Sequence, residues 1–239
     1  MILITVGTGS SGNTYLLTNG TETLVIDAGV PFMEVKKALD FDIRGIVGVI
    51  CTHAHADHSK YAAEYAAAGI PVWKPYETAI AKAEGEDLAK WRIPHTRIGF
   101  GGFDIQSFEC VHDVPCVGYV IQHKDIGKMV YVTDTEYVRY TFKGLNVLLV
   151  EANYSDAYIN REEAKYRHVL TGHMSIDTAV SCIQANASTD LNHVILCHLS
   201  DGSSNEKEFL EAVKAVVPAG CTVDVADAGR VVDVGLLPF

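Results

Sequence analysis

The chain alternates between short apolar runs and longer stretches in which apolar residues recur with helical spacing. Apolar and β-branched runs bounded by Gly, Pro, Asn or Asp predict strands, and recurrence every three or four residues predicts helices. The predicted strands cover residues 2–6, 15–18, 24–27, 46–51, 72–74, 103–112, 117–123, 129–133, 147–151, 193–197 and 222–225. The predicted helices cover residues 31–39, 57–68, 78–90, 155–163, 175–184 and 205–216.

The order of these elements favours one layered domain. The predicted strands fall into two blocks, each followed by helices, which suggests two sheets packed face to face with helices outside. No internal repeat, Pro/Ser-rich linker or long charged run interrupts the chain, so we expect a single domain over residues 1–239.

Composition places the chain among soluble folded proteins. Its 239 residues are 48% hydrophobic and 21% charged, which excludes a disordered or low-complexity chain. The net charge of -11 argues against non-specific nucleic-acid binding, unless bound cations reverse the local field. No apolar run is long enough to span a membrane. Residues 1–6 predict a strand rather than a signal peptide, and no CxxC pair occurs, so we expect reduced thiols and a cytoplasmic protein.

Gly7, Gly9 and Gly12 spell the GxGxxG pattern of dinucleotide-binding proteins directly after the first predicted strand. That pattern needs a helix to start there, because the helix N-terminus holds the pyrophosphate. The following residues instead predict a strand, so we expect a turn between two strands and no nucleotide cofactor. Ser10 and Asn13 in this turn are candidate substrate-binding residues.

The strongest chemical feature is the segment Thr52-His53-Ala54-His55-Ala56-Asp57-His58, between a predicted strand and a predicted helix. Three imidazoles and a carboxylate so close together are costly without a cation. His53 and His55 lie two apart in extended chain and therefore point the same way, towards one ion. Asp57 and His58 come after the turn and face a neighbouring position. Imidazole with carboxylate suits Zn, Mn or Fe.

Two ions need further ligands, which we expect at the ends of strands, where a rigid scaffold presents its site. His112 ends one predicted strand, and Asp134 and His198 each follow another. Each of these residues alone is more often structural. Together with residues 53–58 they add one ligand to each ion and a bridging carboxylate.

The motif HxHxDH, followed by His, Asp and His at strand ends, resembles the metallo-β-lactamase superfamily. The resemblance spans nearly the whole chain, from the segment 9–13 to the segment 198–200, and implies an α+β fold, the four-layer αββα sandwich. It assigns His53, His55 and His112 to one metal, Asp57, His58 and His198 to the second, and Asp134 to both as a bridge. Asp27, in Val25-Ile26-Asp27-Ala28-Gly29, matches the family's first motif, a carboxylate that orients the ligand-bearing turn.

Four shorter motifs resemble the YycJ/WalJ-type branch, small metallohydrolases associated with DNA exonuclease activity. They are the segments 132–138, 150–154, 171–175 and 197–200. The di-zinc β-lactamases place Cys where this chain has Asp134, and a carboxylate there is typical of phosphodiesterases, nucleases and thioester hydrolases. Iron-type oxygen reductases of this fold usually carry Glu where His55 stands. The resemblance therefore implies two divalent ions, Zn or Mn rather than Fe.

His173 and Asp57 are the candidate catalytic residues. The resembling phosphodiesterases use a histidine at the position of His173 for the scissile phosphate or the leaving oxygen. His173 also precedes a predicted helix, whose N-terminus favours phosphate. The alternative for His173 is an ordinary cap or loop histidine.

Three functions follow from these features. The favoured one is a phosphodiesterase, above all a DNA exonuclease, in which a metal-bound hydroxide attacks phosphorus and His173 assists the leaving group. The alternative is an acyl hydrolase of a thioester, lactone or β-lactam on the same metals, which the acidic charge favours. The third, a non-catalytic metal-binding module, conflicts with an intact ligand set. We thus expect DNA or another phosphodiester as partner and no membrane, and the oligomeric state stays open.

Overall fold

Two β-sheets form the centre of the structure, a computed structural model that describes residues 1–74, 95–159 and 171–236. The first sheet has the order β13-β1-β2-β3-β4-β5 and consists of β1 (Ile2–Gly7), β2 (Thr14–Thr18), β3 (Thr23–Ile26), β4 (Ile46–Ile50), β5 (Val72–Trp73) and β13 (Val231–Asp233). The second has the order β12-β11-β10-β9-β8-β7-β6 and consists of β6 (Arg97–Phe100), β7 (Phe103–Glu109), β8 (Val117–His123), β9 (Gly127–Val132), β10 (Val147–Glu151), β11 (His193–Cys197) and β12 (Thr222–Val225).

Helices cover the sheets. The helices within the described residues are α1 (Phe32–Ala38), α2 (Ala56–Ser59), α3 (Ala62–Ala67), α4 (Ile176–Asn186) and α5 (Glu206–Lys214). No helix in this part of the chain is both long enough and apolar enough to cross a bilayer.

Two apolar cores hold these layers together. The first joins the sheets, with Leu17 of the first sheet and Ile121 of the second both buried in it. The second lies between the second sheet and its helices, and it includes Val150, Ile183 and Phe209. Because β10 is covered on both faces, all five of its residues are buried. The predicted sandwich of two sheets with helices outside is confirmed.

Two of the predicted helices differ from the structure, and in the first of them a long-range contact sets the difference. The predicted helix 57–68 is two helices, because the backbone N–H of Tyr61 donates to the carbonyl of Ala28 at 2.9 Å and ties the break to another loop. Residues 156–158 form a turn rather than part of the predicted helix 155–163. The rest of that helix and the predicted helix 78–90 lie outside the described residues.

The strand predictions have smaller errors. The predicted strand 103–112 ends at Glu109, and the edge strands β6 and β13 were not predicted. The glycine-rich segment is a 3₁₀ turn, Gly9–Ser11, between β1 and β2, so the predicted strand-to-strand turn is confirmed. Short edge strands carry little apolar patterning, and that explains why β6 and β13 gave no signal.

The carboxyl ends of parallel strands create the edge on which the site is built. In the first sheet β3 runs parallel to β4, and Ile26 pairs with Ile50 at the end of the ladder. In the second sheet β9, β10 and β11 are parallel, and Glu151 pairs with Cys197 at the end. The residues that follow these ends therefore emerge side by side.

Three residues just beyond the strand ends have left-handed backbone: Asp27 (φ 59), Asp134 (φ 47) and His198 (φ 55). Residues with a Cβ rarely adopt this conformation, although Asp and His tolerate it better than most. Each costs on the order of 1–2 kcal/mol and persists only where the surrounding structure enforces it, as at functional sites. The turns leave two carboxylates and an imidazole at the edge of the sheets.

Candidate metal centre

The turn between β4 and α2 is held by a buried carboxylate, Asp27. Its Oδ1 accepts hydrogen bonds from the backbone N–H of Thr52 at 2.8 Å and from the Thr52 hydroxyl at 3.1 Å. Its Oδ2 accepts from His58 Nδ1 at 2.8 Å and from the Tyr131 hydroxyl at 2.6 Å. Since Tyr131 lies on β9, Asp27 connects the ligand-bearing turn to the second sheet as well as the first.

The first ligand group consists of His53, His55 and His112. His53 Nε2 and His112 Nε2 lie 3.1 Å and 3.2 Å from His55 Nδ1, so three ring nitrogens converge on one point. Asp134 Oδ2 lies 3.5 Å from His53 Nε2 and 3.9 Å from His112 Nε2. His112 Nδ1 donates to the carbonyl of Gly172 at 3.0 Å, which leaves the lone pair on Nε2, the atom that faces the cluster.

The second ligand group consists of Asp57, His58 and His198, on the other side of Asp134. Asp57 Oδ2 lies 3.3 Å from His58 Nε2 and 3.5 Å from His198 Nε2. Asp134 Oδ1 lies 3.4 Å from His58 Nε2 and 3.6 Å from His198 Nε2. Asp134 therefore directs one oxygen to each ligand group, the arrangement that a bridging carboxylate requires.

These donor atoms fit divalent ions. The donor atoms of each ligand group and of Asp134 all lie within 4.8 Å of one another. His198 Nε2 is buried and has no hydrogen-bond partner in the part of the chain that the structure describes. A buried polar atom without a partner costs about 1–3 kcal/mol, which a bound cation would relieve. Imidazole nitrogens with carboxylate oxygens match the preferences of Zn and Mn.

Glu151, the last residue of β10, is a buried site residue that the sequence analysis missed. Its Oε1 accepts from Nδ1 of His173 at 2.7 Å and from Nδ1 of His198 at 3.1 Å. Its Oε2 accepts from the backbone N–H of Thr135 at 3.3 Å and of Met174 at 3.1 Å. One signal was present in the sequence, because an acidic residue closes an otherwise apolar strand, VLLVE.

His173 lies beside the second ligand group. Its ring stacks on that of His198, with centroids 5.2 Å apart and planes 16° apart, and its side chain is 11% exposed. Asp134, Glu151, His173 and His198 form a third set of potential metal ligands. Because the Glu151 oxygens already accept four hydrogen bonds, that carboxylate anchors the two histidines rather than offering itself to an ion.

Of the two candidate substrate-binding residues in the glycine-rich turn, Ser10 and Asn13, only Asn13 lies at the metal centre. Asn13 is fully buried, and its Nδ2 lies 3.0 Å from His58 Nε2. The same amide exchanges hydrogen bonds with the backbone of Gly9 at 2.9 and 3.0 Å. Ser10 is exposed, and no side-chain contact joins it to either ligand group within the described ranges. Asn13 therefore supports His58 and has no surface open to a substrate.

The electrostatics of the two ligand groups differ when no ion is bound. Burial lowers the pKa of His53 and of His112. Burial also acts to lower the pKa of His58 and His198, but the charge of Asp134 and further carboxylate contacts outweigh it, and both pKa values are raised. An ion that enters the second ligand group must therefore displace protons.

The site opens to solvent on one side, at His55, Asp57 and Asp113. Their side chains are 32%, 24% and 42% exposed, whereas those of His53 and Asp134 are at most 2% exposed. Asp113, also missed by the sequence analysis, places Oδ1 3.1 Å from His112 Nε2 and 3.6 Å from His55 Nε2. Solvent and any ligand reach the first ligand group past this carboxylate.

Several known proteins are similar to this chain in sequence and in fold. The family model described as the metallo-beta-lactamase superfamily matches residues 7–173. Exodeoxyribonuclease YycJ of Bacillus anthracis is 24% identical over 217 residues, which cover 82% of this chain and 81% of the relative. Exodeoxyribonuclease WalJ of Streptococcus pneumoniae serotype 2 (strain D39) is 25% identical over 231 residues, 85% of this chain and 83% of the relative.

Among solved structures, the metallo-beta-lactamase fold protein YhfI from Bacillus subtilis matches with a TM-score of 0.70 and 17% identity, over 96% of this chain and 98% of that one. The resemblance to YycJ/WalJ-type proteins and the fold class that it implied are confirmed. Because the family model covers well over half of a chain whose strand ends gather histidines and carboxylates, this protein belongs to the metallo-β-lactamase superfamily and is a metal-dependent hydrolase of that family.

Proposed function

We propose that the protein is a phosphodiesterase that degrades DNA from its ends and that it works with two divalent ions. The observation that carries the proposal is the position of Asp134, whose two oxygens face the two ligand groups separately. A carboxylate shared in this way allows two ions to act on one substrate group.

The residues that would hold the ions are those of the two ligand groups together with Asp134. Bound ions supply activation of water and neutralisation of the negative charge on a phosphodiester. Asp57, the carboxylate of the second ligand group, is reached by solvent. It therefore completes the site on the side from which a substrate would approach. The imidazole and carboxylate ligands suit both Zn and Mn.

In this proposal His173 protonates the leaving oxygen. Its Nδ1–H is committed to Glu151, so the ring orientation is fixed beside the second ligand group. The pKa of His173 is raised: burial opposes the shift, but the charge and hydrogen bond of Glu151 outweigh it. A positioned imidazolium of this kind contributes about 10²–10⁴-fold to the rate as a general acid.

DNA as the substrate is supported by the relatives, YycJ and WalJ, whose names describe them as exodeoxyribonucleases. The net charge of -11 means that the surface as a whole repels a polyanion. Binding therefore depends on the metal centre and a few local cations, and activity should fall only gently as salt rises.

The test is end-labelled linear DNA, single- and double-stranded, incubated with the protein and Mn or Zn. We expect progressive loss of terminal nucleotides, and a closed circular duplex should stay intact. His55→Ala, purified in the same way, controls for contaminating nucleases. If every DNA and a simple phosphodiester stay intact while a thioester or cephalosporin is hydrolysed, the protein is an acyl hydrolase instead.

A further inference from the structure

The segment that follows Asp134 is tied to both sides of the ligand cluster. The backbone N–H of Thr135 donates to Glu151 at 3.3 Å, and the Thr135 hydroxyl accepts from the backbone N–H of Val111 at 2.8 Å. The same hydroxyl donates to the carbonyl of Tyr137 at 2.9 Å. Val111 directly precedes a histidine of the first ligand group. The backbone of Tyr137 is therefore fixed relative to the metal centre.

Tyr137 presents an aromatic ring to solvent from this rigid segment. The residue is 43% exposed and lies three positions after Asp134, so the two Cα atoms are within about 11 Å of each other. A single exposed ring is common on protein surfaces and by itself indicates nothing. This ring, however, has the Arg139 guanidinium 5.7 Å from its centroid. An aromatic face and a cation thus stand together beside the metal centre.

Arg139 also differs from the other arginines in the described parts of the chain. Three of these arginines pair with aspartates, namely Arg44 with Asp42, Arg97 with Asp104 and Arg230 with Asp224. Arg139 has no ion pair with any residue that the structure describes. On a chain with a net charge of -11, an arginine without a carboxylate partner is a cation available to an anionic ligand.

We propose that Tyr137 and Arg139 bind the end of the DNA strand that is cut, with the Tyr137 ring stacked on a nucleobase and the Arg139 guanidinium paired with the adjacent phosphate. This inference rests on the proposed function and adds the residues that distinguish a nucleic acid from a smaller phosphodiester. Stacking on an aromatic ring tolerates every base, because each base has a π face. The pair therefore binds strand ends without sequence preference.

The experiment measures KM of the Mn-loaded protein for two substrates. One is a fluorescent single-stranded oligonucleotide, and the other is the same oligonucleotide with abasic residues at the end that is degraded. Tyr137→Ala should raise KM for the normal end about tenfold, the scale of one lost stacking contact, and Tyr137→Trp should restore it. Tyr137→Ala should also abolish the wild type's preference for the base-bearing end. Arg139→Gln should raise KM for both ends alike and flatten the salt dependence.

Matched controls come from the loop before β4, at the end of that strand away from the metal centre. Phe41→Ala removes a ring that is 64% exposed, and Arg44→Gln removes an exposed arginine. Both controls should keep the wild-type KM. Tyr137→Ala with an unchanged KM and an unchanged preference for the base-bearing end would overturn the inference. An equal loss on the oligonucleotide with the abasic end, which has no ring to stack there, would also overturn it.

Failure of the proposed function gives a different result, because the wild type then cleaves no DNA at all. Binding of the labelled oligonucleotide, followed by fluorescence anisotropy, still tests the inference in that case. About tenfold weaker binding by Tyr137→Ala than by the wild type and Phe41→Ala would support the role of Tyr137. Equal binding by all three proteins, or no binding by the wild type, would refute it.

Discussion

The two ligand groups share Asp134 but differ in what lies behind their histidines. In the first ligand group the two buried histidines, His53 and His112, turn Nδ1 away from the cluster towards neutral oxygens, whereas the partly exposed His55 has its Nε2 3.6 Å from Asp113 Oδ1. His53 Nδ1 lies 3.0 Å from the Thr52 hydroxyl, and His112 Nδ1 donates to the carbonyl of Gly172 at 3.0 Å. Because the partner of each Nδ1 is neutral, burial outweighs the charge of Asp134 and lowers the pKa of both rings.

In the second ligand group the corresponding nitrogens meet negative charge. His58 Nδ1 donates to Asp27 at 2.8 Å, and His198 Nδ1 donates to Glu151 at 3.1 Å, with both carboxylates fully buried. A carboxylate behind an imidazole makes it a stronger metal ligand and also stabilises its protonated form. In the proposed two-ion centre, an ion at the first ligand group would therefore bind without displacing protons from His53 and His112, whereas an ion at the second would compete with protons.

Removal of Asp134 should have the largest effect, because both ligand groups use its oxygens. Asp134→Ala should bind neither ion and should lose activity to background. Its metal-free form should lose about 3–5 kcal/mol of stability, since His58 and His198 keep buried positive charge without this partner. Elemental analysis and urea unfolding measure both effects. Asp42→Asn, an exposed carboxylate, is the control, and a variant that retained one full ion would show that the carboxylate is not shared.

His173→Ala should come next, with a loss of rate of about 10²–10⁴-fold and no loss of metal. His173 contacts Glu151 and stacks on His198, and it belongs to neither ligand group. Its removal should therefore leave the two oxygens of Asp134 in position to bind metal. The defect should shrink for a diester with a 4-nitrophenolate leaving group, which needs little protonation. Loss of an ion from this variant would instead make His173 a ligand.

Asp27→Asn should weaken metal binding at the second ligand group about 10–100-fold, because His58 loses the carboxylate behind it. Cys116→Ala is the counterpart in the first ligand group. Its Sγ lies 3.7 Å from His53 Nδ1 and is a neutral neighbour, so its removal should change affinity little. Competition with a chromophoric chelator measures both affinities, and circular dichroism checks that the variants fold. Equal losses in the two variants would contradict the difference between the ligand groups.

The smallest effect concerns protons. The raised pKa values of His58 and His198 keep both rings protonated to higher pH when no ion is bound. Affinity at the second ligand group should therefore rise with pH through the neutral range, with release of up to about two protons, while the first ligand group releases fewer. Calorimetry of Zn binding in two buffers with different ionisation heats counts these protons. Release of the same number of protons at both ligand groups would contradict the proposed difference between them.

Short-range order along the chain was sufficient to predict most of the candidate ligands. An apolar run followed by HxHxDH predicted a strand that ends in a ligand-bearing turn, and β4 and α2 have that arrangement. A period of two in extended chain predicted that His53 and His55 face one point, where their nitrogens lie 3.1 Å apart. These relations involve neighbours within one turn, so they can be read without knowledge of the rest of the fold.

Tertiary structure alone decided how those ligands are supported. Glu151 meets His198 across 47 residues because β10 and β11 are parallel and in register, and the Tyr131 hydroxyl meets Asp27 across 104 residues because the two sheets stack. The sequence marked Glu151 only as the polar end of an apolar strand. A buried polar group needs hydrogen-bond partners, and here residues at other strand ends supply them. The topology of the sheets determines which strand ends meet, and the neighbours of a residue along the chain do not.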